Sequence, residues 1–286
     1  YMNNTQPLVS IIIPSYNHQD YIEKTLDSIL EESYPNKEIV IIDDQSPDES
    51  DKVITDWIKL HNKKIDINYE RRENRGLNTT LNNLITKAKG KYIVMLASDD
   101  YLLLDGIEKR VRFLEDNSQY LAVFSDCIIV DNRNKTLHDS ALFEYRNYKK
   151  DSFKNSQIIK KTFINKFMLP GPILMVKKEL YETIGKYDKN LVIEDLDFYL
   201  KVASLEKIAF LNEKVSAYRI HNLNLSLEGS SIGYLNLLKD SRKIYIKQFF
   251  NFSFKYKLLI IWQIIKFTIR INLLKFRLST RRLFGK

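Results

Sequence analysis

The amino-acid sequence predicts an α/β fold: a doubly wound, mostly parallel sheet with flanking helices. Three observations carry this. Short apolar runs at Val9–Ile13, Glu38–Ile42 and Tyr92–Leu96 are β-rich and lack polar alternation, as in parallel strands buried on both faces. Segments of helical period separate them. Ile22, Leu26, Ile29 and Leu30 share one face, Leu77, Leu81, Leu84, Ile85 and Ala88 a second, and Ile107, Val111 and Leu114 a third, with Asp105 placed as its N-cap. The resulting order is β-α-β-α-β-α-β over about the first 100 residues. Finally, each apolar run ends in a polar cluster: Pro14-Ser15-Tyr16-Asn17, Asp43-Asp44-Gln45-Ser46, and Ser98-Asp99-Asp100. In such sheets ligands bind beyond the carboxyl ends of the strands, so the three clusters are expected to form one site.

Composition narrows the function classes. With 44% hydrophobic and 28% charged residues, the 286-residue chain is neither disordered nor fibrous. One cysteine, Cys127, excludes a disulfide framework and a cysteine-based zinc finger, and suits a reducing compartment. The net charge of +9 is unevenly placed, since Lys239–Lys286 holds 13 basic residues and one acid, leaving the remainder slightly acidic. Met2 is read as the natural start, and no signal peptide is expected, because Tyr1–Pro7 is polar.

The tail has its own logic. Its longest uncharged stretch, Leu258–Ile265, is far short of the roughly 20 residues that span a bilayer. On a helix, Lys255, Gln263, Lys266, Arg270 and Arg277 gather on one arc, and most of the rest is Leu, Ile, Phe and Trp, with Lys257 and Lys275 as exceptions. The expectation is an amphipathic helical tail over 227–286, lying on an anionic membrane surface. The alternative is a helix packed on its own domain or on a second subunit as a homo-oligomer. Nucleic acid is disfavoured, because so continuous an apolar face gains little from phosphates.

No G-x-x-x-x-G-K-[ST] loop and no G-x-G-x-x-G after the first strand occur, and the chain has eight glycines in all. A P-loop or a dinucleotide-binding Rossmann site is therefore disfavoured, and phosphate needs another counter-charge. Asp99-Asp100, closing the apolar strand Tyr92–Ala97, offers one: carboxylates with open positions for phosphates suit Mg²⁺ or Mn²⁺.

At these residues the chain resembles a family 2 glycosyltransferase of the GT-A fold, from Val9 to about Ser226. The resemblance rests on V-S-I-I-I-P-S-Y-N (from Val9), I-V-I-I-D-D-Q-S-P-D (from Ile39), G-K-Y-I-V-M-L-A-S-D-D (from Gly90), I-G-K-Y-D-K-N-L (from Ile184), E-D-L-D-F-Y-L-K-V (from Glu194) and Y-R-I-H (Tyr218–His221). It implies a glycosyltransferase domain at 1–226, with a nucleotide-binding half to about residue 100 and an acceptor half over 101–226. Pro14 and Tyr16 would line the nucleotide base, Asp44 would bond the uracil edge or ribose, and Asp43 would support the loop. Asp99 and Asp100 would take the DxD-type role of holding ribose and metal. Many members read D-x-D-D here, whereas this chain has Ala97 in the first position, which makes Asp100 the main expected ligand. Glu194-Asp195 matches the family's acid pair, with Asp195 as the general base and Asp197 in a surface or structural role. His221 is either a third metal ligand or a hydrogen-bonded structural residue, and Arg75 either meets donor phosphates or caps a loop. His18, His61 and His138 are expected at the surface. Leu169–Pro172 is expected to shape the acceptor pocket.

The expected function is metal-dependent (Mn²⁺ or Mg²⁺), inverting transfer of one sugar from a UDP-sugar to a lipid-linked glycan acceptor. It would take place on the inner face of the cell membrane, in assembly of bacterial surface glycans such as O-antigen or capsule. The Q-x-x-R-W motif of processive members is missing. Two competitors remain: a sugar-phosphate nucleotidyltransferase, which wants a Gly-rich loop after its first strand, and a non-enzymatic membrane-surface binding protein, which leaves the acids without a task.

Overall fold

The computed structural model describes residues 6–221 and 231–283. The expected opening is present. Strand β1 (Val9–Ser15), helix α1 (Ile22–Glu31), β2 (Lys37–Asp43), α2 (Ser50–His61), β3 (Asp66–Arg71), α3 (Leu77–Lys87) and β4 (Tyr92–Met95) follow one another. Only β3 is absent from the apolar runs. It is an edge strand with no fully buried residue, so its sequence D-I-N-Y-E-R carries no apolar block. The chain continues through β5 (Tyr101–Leu102), α4 (Gly106–Asp116), β6 (Ala122–Val130), β7 (Thr136–His138), α5 (Ser156–Asn165), β8 (Leu174–Lys177), α6 (Leu180–Ile184), α7 (Glu194–Ser204) and β9 (Ile208–Arg219).

The strands form one sheet in the order β3-β2-β1-β4-β8-β6-β9-β5, with β7 paired to β6. The first four run parallel, β8 is antiparallel to both neighbours, and β6 and β9 are again parallel to each other. Strands β1, β2, β4, β6 and β9 therefore all end at one edge of the sheet, where the polar clusters lie. Gly90 lets β4 enter tightly, because a Cβ there would come within 2.7 Å of Leu8 O and Ser10 N. Each face of the sheet buries its own core. Helices α1, α2 and α4 pack on one side through Leu26, Ile54 and Ile107, and α3, α5 and α7 on the other through Leu84, Phe163 and Leu200.

Asp105 does not cap α4 as expected. It adopts a left-handed conformation (φ 62°) and its carboxylate accepts from Ser33 Oγ at 2.7 Å. Glu32 takes over, accepting from Ile107 N at 3.2 Å. The run Leu169–Pro172 leads into a single 3₁₀ turn at Gly171–Ile173, where Pro172 O accepts from Ser216 Oγ in the core.

The tail is two helices, α8 (Ser231–Gln248) and α9 (Phe254–Leu283), packed on each other and on the body. The expected boundary at 226/227 lies outside the described residues. Ile244, Tyr245, Phe252, Tyr256 and Ile260 join the core that holds α5 and α7, and Tyr245 Oη donates to Ile164 O at 2.8 Å. Gln263, expected on an outward polar arc, is buried. Opposite that buried side α9 exposes Phe254, Leu258, Ile261, Trp262, Ile265, Ile269, Leu273 and Phe276. At 100° per residue these fall within about 60° either side of Leu258. Lys255, Lys266, Arg270 and Arg277 border the stripe on one flank, and Lys257 and Lys275 on the other. No helix among the described residues is long and apolar enough to cross a membrane.

Candidate active site

The loop after β4 is tied down from β9. Arg219, the last residue of β9 and 1% exposed, donates its backbone N–H to Asp100 Oδ1 (2.8 Å), Nε to Asp99 O (2.7 Å), Nη1 to Asp131 O (3.0 Å) and Nη2 to Asn134 Oδ1 (2.7 Å). Its guanidinium lies over the rings of Tyr21 and Tyr101, at 4.8 and 5.7 Å. Two residues further, His221 Nε2 shares a hydrogen bond of 2.9 Å with Asp99 Oδ2, and its ring packs on Tyr21.

His18 completes this group. It was expected at the surface; instead its side chain is largely covered, with Nε2 3.8 Å from Asp99 Oδ2 and Nδ1 sharing a hydrogen bond of 2.8 Å with Ser98 Oγ. Donor atoms of His18, Asp99 and His221 all lie within 4.8 Å of one another. Two imidazoles and a carboxylate form a donor set that fits a divalent first-row metal. Asp100, the main expected ligand, is not in the group, because its carboxylate is turned into the fold against Arg219 N.

The electrostatics follow the same division. Burial opposes ionisation of Asp99, but the His221 hydrogen bond and the His18 imidazole outweigh it and hold its pKa below the usual value. Burial, then the neighbouring Asp99 charge, pushes Asp100 well above the ordinary range. Burial also lowers His18, favouring the neutral ring.

A second nest lies where β2 and β3 end. Buried Asp44 pairs through Oδ1 with Arg72 Nη2 at 3.2 Å, and its Oδ2 accepts from Thr80 Oγ1. Arg72 Nη2 also donates to Thr80 Oγ1 at 2.7 Å, while its Nε and Nη1 are buried with no partner among the described residues. The expected cation, Arg75, is exposed and contributes its backbone N–H to Asp44. Asp43 supports the loop, accepting from Ser46 N (2.9 Å) and Ser15 Oγ (3.2 Å). Pro14 is half-buried, and Tyr16 is 48% exposed beside this nest at the end of β1.

Glu194 and Asp195 open α7, half-buried, and Asp195 Oδ1 accepts from Leu196 N at 2.7 Å. A helix N-terminus favours carboxylate charge, yet burial wins. Glu194 is pushed up to about 8 by burial and then by the Asp195 charge, and Asp195 to about 6 by burial. The loop entering α7 is fixed to the first half of the sheet, because Asn78 Nδ2 in the first turn of α3 donates to Asp188 O (2.8 Å) and Leu191 O (2.7 Å). On the other side, α8 brackets the segment. Asp240 accepts from Val192 N (2.6 Å), Lys247 pairs with Asp188 (2.8 Å), and Gln248 Nε2 donates to Asp197 Oδ1 (2.7 Å). Asp197 is thus a buried tie between α7 and α8, also paired with Lys201 at 3.0 Å, and not a surface residue.

Comparison with known proteins identifies the family and the fold. The profile of glycosyl transferase family 2 matches residues 10–185, and the chain belongs to that family. A teichuronic acid biosynthesis glycosyltransferase of Bacillus subtilis, TuaG (a putative assignment), is 38% identical over 117 residues, which is 41% of this chain and 46% of that protein. The hyaluronan synthase of Pasteurella multocida is 29% identical over 87% of this chain and 24% of its own length. Among solved structures, mannosyltransferase PcManGT of Pyrobaculum calidifontis, with GDP-Man and Mn²⁺, aligns with a TM-score of 0.69 at 18% identity, over 99% of this chain and 77% of that one. S. aureus TarS with UDP-GlcNAc gives 0.69 at 17%, over 91% and 71%. The likeness establishes the GT-A fold.

The raised acid at Glu194 has a measurable signature. Its folded pKa of about 8 exceeds the usual 4.5, so the native state binds more protons between those values and loses stability as pH rises through them. Glu194→Gln removes that loss. Thermal melts should show the variant matching wild type near pH 5 and melting higher at pH 8–9; a constant difference at all pH values would contradict the burial of this charge.

Proposed function

We propose that the chain is an inverting, metal-dependent glycosyltransferase that moves one sugar from a UDP-sugar to a hydroxyl of a lipid-linked glycan acceptor. The observation that carries this is a raised, half-buried carboxylate at Asp195 on the same sheet edge as a metal-suited cluster and a polar nest for a base. Asp44, held by Arg72 and Thr80 at the ends of β2 and β3, supplies a polar partner for the base or ribose, and Tyr16 offers a ring for stacking. Asp99 and His221 would hold the ion, which would supply positive charge to the departing diphosphate. Asp195 takes the proton of the acceptor hydroxyl. That oxygen forms the new bond to the anomeric carbon as the bond to the diphosphate breaks on the opposite face, so the configuration inverts. A pKa of about 6 suits a base that is ionised at neutral pH yet still basic.

The exposed apolar stripe of α9, bordered by basic residues on both flanks, supports a seat on an anionic bilayer, the cytoplasmic leaflet, where a lipid-linked acceptor is presented. The same helix packs into the core that holds α7, so the apolar stripe and the acid pair are carried by elements that share one core.

Asp195→Asn should lower transfer by at least about 10³-fold while leaving UDP-sugar stabilisation of the fold intact in thermal shift. In wild type, kcat/KM should fall below pH 6, as Asp195 gains its proton. Appreciable transfer by the variant would remove Asp195 as base, and inertness of wild type with every nucleotide sugar would remove the function. For the membrane seat, truncation is a poor probe because it opens the core. Trp262→Glu combined with Ile269→Glu leaves the buried side untouched and should abolish flotation with vesicles rich in anionic lipid, which wild type should show. Flotation equal in both, or in neither, would sink the seat.

A further inference from the structure

We propose that His18 is itself a ligand of the divalent ion, which then rests on two imidazoles and one carboxylate: His18, His221 and Asp99. The inference deepens the metal-dependent reading above and rests on it for the ion's purpose, though not for its detection. In sequence the three residues are remote, and His18 is separated from His221 by about 200 positions. They meet because β1, β4 and β9 end at the same sheet edge.

The geometry points Nε2 of His18 inward. Nδ1 is engaged by Ser98 Oγ at 2.8 Å, and this outer bond fixes the ring so that the other nitrogen faces Asp99 Oδ2 at 3.8 Å. His221 Nε2 meets the same oxygen at 2.9 Å. Adjacent ligands of a six-coordinate ion stand about 3 Å apart and opposite ones about 4.2 Å apart, for bonds near 2.1 Å. The observed 2.9 and 3.8 Å separations fall in this range, and all three donors lie within 4.8 Å of one another, so the ion would draw the widest pair somewhat closer. An ion entering here displaces the proton shared by His221 and Asp99.

This answers a gap left by the primary structure. Ala97 stands where a carboxylate would open a D-x-D-D run, and Asp100 is committed to Arg219 N. One carboxylate remains, and imidazole nitrogen replaces the missing oxygens. The consequence is ion choice. Mg²⁺ prefers all-oxygen shells and keeps its water, whereas imidazole suits transition ions, so this site favours Mn²⁺ over Mg²⁺. Two imidazoles and one carboxylate also leave open positions for diphosphate oxygens.

The test uses the full chain with Mn²⁺ alone, read by electron paramagnetic resonance. Pulsed spectra of bound Mn²⁺ should show couplings from two imidazole nitrogens in wild type and from one in His18→Ala, with Mn²⁺ affinity lowered by about tenfold or more. His18→Gln should also show one. His138→Ala, altering a half-buried ring on β7 outside this cluster, should keep both. A tenfold excess of Mg²⁺ should leave most Mn²⁺ in place. One nitrogen in wild type, two in His18→Ala, or no binding of Mn²⁺ up to about 1 mM would overturn the assignment. Because no donor or acceptor is present, a chain inert toward every nucleotide sugar can still show two nitrogens. An active transferase showing one would keep its function and lose His18 as ligand.

Discussion

The Asp99–His221 end of the candidate site hangs from the buried guanidinium of Arg219. One side chain bridges the Asp99 carbonyl, the Asp131 carbonyl and Asn134, and its own N–H fixes the Asp100 carboxylate. A buried cation without such partners costs several kcal/mol, so this network is either complete or absent. Its completion joins the end of β9 to the loop after β4 and sets His221 opposite Asp99. Asp100, beside Asp99 in sequence, is thereby a structural acceptor for Arg219, and Asp99 is the carboxylate turned toward the imidazoles.

The second constraint comes from the tail. Helix α8 touches both ends of the segment that carries Glu194 and Asp195, through Asp240 on Val192, and Lys247 and Gln248 on Asp188 and Asp197. Asn78 holds the same segment from the α3 side. The raised pKa values of this half-buried acid pair depend on the segment keeping its place, and a loop held on two sides provides that. The +12 tail is thus not an appendage added to a finished domain. Its inner face closes the core, and its outer face displays the apolar stripe.

The parallel half of the sheet was legible because its strands are buried on both faces and read as unbroken apolar runs. Strand β3 was implied by the β-α order but has no unbroken apolar run, since this edge strand alternates Asp66, Asn68 and Glu70 with half-buried Ile67 and Tyr69. Within the site, Asp44, Asp99 and the Glu194-Asp195 pair stood out as acids at strand ends or in matching motifs. Arg72 and His18 did not. Arg72 looks like one cation in the charged run Glu70–Arg75 until the fold buries it against Asp44. His18 follows the Pro14–Asn17 cluster directly, and that position beyond a strand end was the signal available for it. The two faces of α9 were misjudged at Gln263 because helical period gives angles between residues and not which arc meets the body.

In the proposed mechanism the acceptor hydroxyl displaces the diphosphate in a single step with Asp195 as base, which would invert the anomeric carbon and makes the product's anomeric configuration the most direct test. With an α-linked UDP-sugar and Mn²⁺, proton NMR of the first product should show a β linkage, and Asp195→Asn should yield none. An α-linked product would require a second displacement or a front-face route, and would contradict the role given to Asp195.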